Sequence, residues 1–272
     1  MILCAKTEAM EISDVLDPAR AAALHTALGL SGPAPSANDP LPAFWHYIYF
    51  WDAQPAESLG QDGHPKTGGF ILDLGLPRRM WAGGDLRFLT PLYIGMPATK
   101  QSKLLSVVEK TGASGPLAII TIEHELIQDG RVCITEKQSL IYREAAKPSA
   151  TPPQPPKAPT DETASEMQSF TSTDLFRYSA LTFNGHRIHY DREYTQTQEG
   201  YPDLIVHGPL LAQCLITLAA QQIGPLKQFV FKATSPLFLS ETATLCARPN
   251  DTGLDLWVRG PGGKLCMTAQ VS

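Results

Sequence analysis

The chain has 272 residues, of which 43% are hydrophobic and 18% are charged, and its formal net charge is −5. This composition is typical of one large or two ordinary globular domains, and it excludes a disordered chain. No basic block is present, which argues against nucleic acid as a partner. Five scattered cysteines without a CxxC pattern predict neither a disulfide framework nor a metal site.

Neither a signal peptide nor a membrane span is predicted. Lys6, Glu8 and Glu11 interrupt the N-terminal region, and no apolar core precedes a cleavage site. The longest helix-like apolar stretch, residues 210–220, is shorter than the roughly 20 residues that a membrane span needs. We therefore expect a cytoplasmic protein that does not contact a membrane.

The first half is predicted to begin with a helix and to continue as antiparallel strands. Asp17 is a helix cap, Pro18 suits the first helical position and Gly29 ends the alanine- and leucine-rich run. The aromatic segment 44–51 fits a helix or a strand by periodicity, as core or as part of a binding-site wall. Alternating and β-branched patterns predict strands at residues 103–110, 117–128 and 131–142. An Asp-Gly pair joins the last two strands as a hairpin turn.

A proline-rich run divides the chain. Residues 146–159 read AKPSATPPQPPKAP, and such a segment is extended and offers few backbone donors. We predict an N-terminal domain over residues 1–145, a linker over residues 146–164 and a C-terminal domain over residues 165–272. In the second half a helix is expected at residues 209–222, followed by strands at residues 228–233, 243–248, 253–259 and 264–271.

The two halves share a short sequence pattern. LTPLYIGMPAT at residues 89–99 and TSPLFLSETAT at residues 234–244 keep a Pro-Leu-aromatic-aliphatic core and a terminal Ala-Thr at the same spacing. This pattern indicates an internal duplication. An apolar helix followed by antiparallel strands predicts an α+β layer in which a curved sheet wraps around a helix.

Two motifs in the second half carry the chemistry. The segment FRYSALTFNGHRIHYD, residues 176–191, places Asn184 and His189 among several other polar side chains. The second motif is His207-Gly208, after which Pro209 begins the apolar helix. The first N–H groups of a helix lack internal partners and lie at the positive end of its dipole. The Gly208 N–H is therefore a candidate oxyanion hole.

These motifs resemble the MaoC-like, R-specific enoyl-CoA hydratase family. The family motif runs roughly S-G-D-x-N-P-L-H, and a later H-G opens the central helix. The resemblance places Asn184 at the family's aspartate, His189 at its catalytic histidine and Gly208 at its oxyanion glycine. Asn184 can hold a water by hydrogen bonds but takes up no proton, so His189 is the expected sole general base and acid.

The first half narrows the resemblance. PRRMWAGGDLRFLTPLYIG at residues 77–95 and EKTGASGPL at residues 109–117 are similar to a subgroup of that family. The subgroup contains itaconyl-CoA and mesaconyl-CoA hydratases and mitochondrial hydroxyacyl-thioester dehydratases. The resemblance implies an α+β double hot-dog fold, with two antiparallel sheets that each wrap around a central helix. It also implies a degenerate, substrate-binding N-terminal domain, an acyl-CoA partner, no cofactor, and a homodimer.

The resemblance leaves three functions open. The first hypothesis is hydration of itaconyl-CoA or mesaconyl-CoA to citramalyl-CoA, in the catabolism of itaconate or another C5 dicarboxylate. The second is dehydration of 3-hydroxyacyl thioesters in fatty-acid metabolism. The third is a non-catalytic hot-dog protein that binds acyl-CoA.

Arg187 is a candidate for substrate binding with three possible partners. A guanidinium can bind a free carboxylate of the acyl group with two parallel hydrogen bonds. The alternatives are a CoA phosphate and a structural ion pair with Asp191.

Further candidates lie in both halves. Arg78 and Arg79, with Trp81, are predicted either to contact CoA phosphates or to be structural. The neighbouring Gly-Gly pair is expected to be a turn. Tyr190 and His207 are also candidate binding residues, with second-layer support and helix packing as their respective alternatives.

Overall fold

A computed structural model describes residues 9–112, 115–145 and 154–272. Within these ranges the chain forms ten strands in one sheet, four α-helices and several short 3₁₀ turns. The strands are β1 Met10–Val15, β2 Arg78–Phe88, β3 Pro97–Gly112, β4 Gly115–Gln128, β5 Arg131–Arg143, β6 Ala164–Gln168, β7 Gln228–Ala233, β8 Ala243–Pro249, β9 Leu254–Arg259 and β10 Leu265–Val271. The helices are α1 Pro18–Ala27, α2 Ser172–Leu181, α3 Arg192–Thr197 and α4 Gly208–Ile223.

The sheet is symmetrical about its middle. Its order is β1-β3-β4-β5-β2-β7-β10-β9-β8-β6, and all pairings are antiparallel. From the middle outwards, β2-β5-β4-β3-β1 in one half matches β7-β10-β9-β8-β6 in the other. Each outer strand is followed in the chain by a helix, α1 after β1 and α2 after β6. Each half therefore repeats one topology, as the predicted duplication requires.

The shared sequence pattern makes the same contacts in both halves. The first two N–H groups of residues 89–99 donate to the Cys133 carbonyl at 2.8 and 3.2 Å. The first two N–H groups of residues 234–244 donate to the Cys266 carbonyl at the same two distances. Cys133 lies in β5 and Cys266 in β10, which occupy matching places in the sheet. The pattern therefore has the same structural task in each half, to anchor the segment that leads into the next strand.

The two halves differ at their centres. In the second half the apolar helix α4 packs against β7, β8, β9 and β10. In the first half, the described residues between α1 and β2 contain no comparable helix. The aromatic segment 44–51 lies there instead, with a 3₁₀ turn at Trp45–Ile48. Phe44 packs edge-on against Phe229 and Phe231, with ring centroids 5.7 Å apart in both pairs. Aromatic rings thus fill the space where a second central helix was expected.

Two glycines in β2 allow it to pack closely against β7, where the two halves of the sheet meet. A Cβ on Gly83 would lie 2.4 Å from the Phe231 carbonyl oxygen, and a Cβ on Gly84 would lie 2.7 Å from the Phe231 ring. A residue with a side chain at either place would push β2 away from β7. The turn predicted at this pair is therefore wrong, since both glycines lie inside β2, next to a bulge after Trp81. As a result the two predicted sheets join into one.

Part of the predicted linker can be located. Residues 146–153 lie outside the described residues, whereas residues 154–163 contact the second half of the sheet. Ala158 packs with Cys246 and Trp257, and its N–H donates to the Gly263 carbonyl at 2.9 Å. The segment is thus attached to the sheet before β6 begins at Ala164, and the linker over residues 146–164 stays a prediction. The other domain boundaries stay predictions.

Most predicted elements are present. The strands predicted from alternation are all found, although β3 begins at Pro97, and α1 begins at Pro18 with the Asp17 side chain accepting from the Ala19 N–H. The prediction missed β1, β2, β6, α2 and α3. Among the described residues, no helix combines the length and the apolar character that a membrane crossing demands.

Candidate active site

A cavity of about 760 Å³ is lined by residues of both halves. This volume lies in the range of small-molecule sites. The predicted site residues that line it are Arg78, Arg79, Trp81, Asn184, His189, Tyr190 and Gly208. Arg187 and His207, which were predicted to bind substrate, are not part of its wall.

Asn184 is held in a turn that follows α2. Its backbone N–H donates to the Ser179 carbonyl at 2.8 Å, and its side-chain Oδ1 accepts the His186 N–H at 3.0 Å. Phe183 adopts a left-handed φ of 51° to make this turn. Oδ1 keeps a second lone pair and the amide NH₂ keeps its donors, so the Asn184 side chain can still hold a water.

His189 lies at the end of a 3₁₀ turn and is almost completely buried. Its Nδ1 is 2.7 Å from the Ile205 carbonyl oxygen. A carbonyl oxygen only accepts, so Nδ1 carries the proton and Nε2 keeps a lone pair. Burial lowers the pKa of His189 to about 4. The imidazole is therefore neutral at pH 7 and has the tautomer that a general base requires.

His207 supports His189 from behind. The two imidazoles are stacked, with centroids 3.7 Å apart and an angle of 19° between their planes. His207 is fully buried, and its Nε2 is 2.8 Å from Ser179 Oγ. Burial, with smaller contributions from His189 and His186, lowers its pKa well below the usual value. The predicted contact of His207 with substrate is therefore wrong, and its helix-packing alternative fits the structure.

Gly208 presents an open N–H to the cavity. It is the first residue of α4, and among the described residues no hydrogen-bond partner is found for its N–H. A Cβ built on Gly208 would meet no atom within 4 Å, so there is empty space beside its backbone. Because His207 directly precedes it and stacks on His189, the open N–H and the imidazole belong to one site.

A loop of the first half, residues 59–65, directly contacts residues 185–187, which lie between Asn184 and His189. The Arg187 N–H donates to the Asp62 carbonyl at 2.9 Å. Gly63 and Gly185 are so close that a Cβ on Gly63 would lie 2.0 Å from the Gly185 carbonyl oxygen. Sequence reasoning missed this loop, because nothing in its local pattern indicates a partner more than a hundred residues away.

The same loop brings a histidine and a carboxylate into the site. His64 lines the cavity, its Nδ1 lies 3.2 Å from Asp62 Oδ2, and its ring centroid lies 4.4 Å from that of His186. The His186 ring in turn lies 5.5 Å from the His189 ring. Four imidazoles thus form a row from His207 to His64 that crosses both halves.

Part of this row has the spacing of metal ligands. The ligand-type atoms of Asp62, His64 and His186 lie within 4.8 Å of one another. Burial lowers the pKa of His64 and of His186, and the charge of Arg79 adds to both shifts. A guanidinium this close opposes a bound cation. We therefore interpret the three side chains as two neutral imidazoles beside a carboxylate, with a hydrogen bond between His64 and Asp62.

Two of the candidate arginines already have partners. Arg187 pairs with Asp191 at 2.7 Å, with its guanidinium carbon 4.2 Å from the centroid of the Tyr194 ring. Its ion-pair alternative thus fits the structure, and Arg187 is not part of the cavity wall, so its predicted contact with an acyl carboxylate has no support from this geometry. Arg78 donates to Glu199 Oε2 at 2.7 Å within the cavity wall.

Arg79 is different. It lines the cavity, and its side chain makes no hydrogen bond or ion pair with another residue in the described ranges. Burial alone would raise the pKa of the Asp62 carboxyl, but the net pKa is lowered. The hydrogen bonds from His64 contribute most to this lowering, and the charge of Arg79 adds a smaller part. Arg79 is thus the cationic side chain at the histidine end of the cavity that is left to bind an anion.

Aromatic side chains complete the wall. Trp81 Nε1 donates to the Gly83 carbonyl at 2.9 Å, and its ring packs against Tyr47 at 5.0 Å between centroids. Tyr47 donates to the buried Glu136 carboxylate and also lines the cavity, so the aromatic segment is both core and wall. Tyr190 is half exposed at the cavity, and its hydroxyl donates to the Gly185 carbonyl at 2.9 Å.

Solved structures of the double hot-dog class superpose on almost the whole chain. A MaoC-like dehydratase from Phytophthora capsici is similar with a TM-score of 0.71 and 13% identity, over 98% of this chain and 96% of that one. A Mycobacterium tuberculosis protein described as a double hot-dog fold is similar with a TM-score of 0.60 and 12% identity, over 98% and 95% of the two chains. The predicted double hot-dog fold is therefore confirmed.

Sequence comparison then assigns the family. Residues 44–239 match the model of the hydroxyacyl-thioester dehydratase type 2 family. A mesaconyl-C(4)-CoA hydratase of Chloroflexus aurantiacus is 41% identical over 262 residues, which is 96% of this chain and 94% of that protein. The chain belongs to the hydroxyacyl-thioester dehydratase type 2 family, and the predicted enzyme class, a hydro-lyase, is confirmed.

Proposed function

We propose that the chain hydrates a short, branched dicarboxylic enoyl-CoA, mesaconyl-CoA or itaconyl-CoA, to citramalyl-CoA. The proposal is carried by one observation, a neutral buried His189 in the same cavity as the open N–H of Gly208. The 41% identity to a mesaconyl-C(4)-CoA hydratase supports the mesaconyl thioester as first choice.

For mesaconyl-C(4)-CoA, whose double bond is conjugated to the thioester, the reaction follows from these groups. The thioester oxygen accepts the Gly208 N–H, which withdraws electrons from the double bond and makes the β-carbon electrophilic. A water held by the Asn184 amide attacks that carbon while His189 Nε2 takes its proton, and the electron pair moves to the thioester oxygen as an enolate. The imidazolium then returns the proton to the α-carbon, so one water is added and His189 is again neutral.

A substrate panel tests the proposal. The purified full chain is given mesaconyl-C(4)-CoA, itaconyl-CoA and crotonyl-CoA in buffer with EDTA. Loss of the enoyl-thioester absorbance is followed for the two conjugated thioesters, and formation of citramalyl-CoA is followed by chromatography for itaconyl-CoA. EDTA is included because the proposed chemistry needs neither metal nor cofactor. Hydration of a dicarboxylic thioester is expected, with citramalyl-CoA as product. The proposal would be rejected if the protein hydrates none of the three thioesters.

Gly208→Ala should separate folding from catalysis. The added methyl group meets no protein atom within 4 Å, so thermal stability should stay close to that of the wild type. The same methyl group fills the space that the thioester oxygen needs, so kcat/KM should fall roughly 100- to 1000-fold, as when an oxyanion donor is lost. Steady-state kinetics beside a melting curve measures both. Unchanged kinetics would mean that the thioester oxygen does not occupy the space beside Gly208.

The pH profile should reflect the burial of His189. Its pKa lies at about 4 in the folded protein, below the usual value of 6.5. The base is active when neutral, so kcat/KM should be constant through pH 6 to 7 and decline only as the pH falls towards about 4. A fall centred near pH 6.5 in kcat/KM against pH would contradict His189 as the base.

Dehydration of 3-hydroxyacyl thioesters is the second candidate. It is favoured by the family description, and it is the same chemistry in reverse. A medium-chain 3-hydroxyacyl-CoA in the same assay distinguishes the two. A higher kcat/KM for that substrate than for the dicarboxylic thioesters would favour the second candidate.

We also propose a cytoplasmic location and a homodimer. The proposed substrate is a CoA thioester of central metabolism, which suits the cytoplasm. Light scattering after size exclusion tests the assembly, and a monomeric mass would reject the dimer.

A further inference from the structure

We propose that Arg79 binds a free carboxylate of the acyl group, so that the cavity selects enoyl thioesters with a carboxylate on the β-carbon. This inference rests on the proposed hydratase function and adds the residue that recognises the substrate class. It also replaces the CoA phosphate as the predicted partner of Arg79.

The other cations near the site are less suitable. Arg187 is bonded to Asp191 outside the cavity wall, and Arg78 is bonded to Glu199 within it. Arg143 lines the cavity too, but its neighbour in the sheet is Arg78 and its charge acts on Tyr201, next to Glu199. Arg78 and Arg143 thus lie beside the Glu199 carboxylate, which offsets their charge. Among the described residues no carboxylate bonds Arg79, which leaves its guanidinium for a ligand.

Arg79 lies near the reacting centre. In the β2–β5 register it stands opposite Tyr142, and its charge acts on the His64 and His186 imidazoles. The His186 ring lies 5.5 Å from the His189 ring. A thioester on the Gly208 N–H would therefore present its acyl group, not its phosphates, to Arg79. The CoA phosphates would lie a full pantetheine arm away.

The chemistry of the substrate requires a cation at this place. In mesaconyl-C(4)-CoA, the C4 thioester of 2-methylbutenedioic acid, the free carboxylate is bonded to the same carbon that the water attacks. That carboxylate must enter a cavity with its carbon next to His189, and burying it without a partner would be costly. A guanidinium satisfies both oxygens with two parallel hydrogen bonds. It also offsets the negative charge of the carboxylate, which would otherwise disfavour the enolate that forms when water attacks.

Arg79→Gln provides the test, read with two substrates. We expect kcat/KM for mesaconyl-C(4)-CoA to fall on the order of 100-fold, and that for crotonyl-CoA to change by less than about threefold, since only the first loses a charged, two-fold hydrogen bond. Arg87→Gln is the matched control, because Arg87 lies on the same strand, is exposed and does not line the cavity. It should leave both values unchanged.

The outcomes separate this inference from the proposed function. Equal losses on both substrates in a folded Arg79→Gln variant, or no loss on either, would overturn the role of Arg79. Wild-type protein that hydrates crotonyl-CoA but no dicarboxylic thioester would overturn it too, and would leave the hydratase assignment in place. If wild-type protein hydrates no enoyl-CoA, the proposed function itself is wrong.

A substrate change covers the case in which the variant does not fold. Wild-type protein is compared on mesaconyl-C(4)-CoA and on the same thioester with its free carboxylate converted to a methyl ester. The ester removes the charge with little change of shape near the double bond, so a loss of roughly 100-fold is expected if a charged pair is broken. Equal rates would overturn the inference.

Discussion

His189→Ala is expected to lower kcat for hydration by about 100- to 10,000-fold, the usual contribution of a general base. The variant loses the buried nitrogen that accepts the proton of water. Asn184 cannot replace it, because an amide does not take up a proton in this pH range. Turnover of mesaconyl-CoA under saturating substrate measures the loss.

The His189→Ala variant should still fold, but with lower stability. A second variant is therefore needed to separate the loss of stability from the loss of activity. Alanine leaves the Ile205 carbonyl without its donor and removes a ring from the stack with His207. An unsatisfied buried acceptor costs about 1–3 kcal/mol. His189→Gln keeps an N–H that can reach towards Ile205 but has no basic nitrogen, so it should be more stable than the alanine variant and equally slow. His25→Ala, in α1 and away from the cavity, is the control for general effects. Near-normal turnover in a folded His189 variant would reject the assignment.

The candidate site could be predicted because its residues are close in sequence. Asn184 and His189 lie five residues apart, and Gly208 opens the next long helix. The capping position of a helix and a dense polar segment can both be found without a fold. Their meeting in one cavity agrees with the prediction, although the roles given to them stay to be tested.

The partners of the charged groups could not be predicted. The sequence shows three arginines, Arg78, Arg79 and Arg187, as equal candidates for binding an anion. Which of them is neutralised depends on Glu199 and Asp191, and the Glu199 contact bridges the two halves. Charge type is a property of the residue, whereas availability is a property of the fold. The predicted roles of Arg79 and Arg187 were therefore assigned without the information that decides them.

The strands also differ in whether local sequence or a distant contact determines them. β4 was predicted because its residues alternate between buried and partly exposed along its length, which the sequence repeats as apolar and polar. β2 was missed because its Gly-Gly pair is typical of a turn. The pair is required by the close approach of β7, a contact between residues about 150 positions apart. The duplication places β2 against β7 at the centre of the sheet, and this close pairing explains why glycine stands in the middle of a strand.

Gly63→Ala should disrupt the site from the other half of the chain. Gly63 has a left-handed φ of +87°, and an added Cβ would lie 2.0 Å from the Gly185 carbonyl oxygen. The left-handed backbone alone costs about 1–3 kcal/mol. The clash is with backbone, which has no rotamer to relieve it, so either the loop 59–65 or the turn that carries Asn184 must shift.

Gly68→Ala distinguishes the clash from the backbone strain. Gly68 also has a left-handed φ, +106°, and lies close by in the chain, but a Cβ there would meet nothing within 4 Å. Both variants should lose stability through strain. Only Gly63→Ala should also lower kcat/KM, by at least about tenfold, because a displacement of 1 Å near reacting groups can cost about 100-fold. Kinetics well below the melting temperature, with limited proteolysis of the loop as a second measurement, compares the two. Equal activity in both variants would mean that the contact of the loop with residue 185 is not needed for catalysis, and that the C-terminal half holds its catalytic turn by itself.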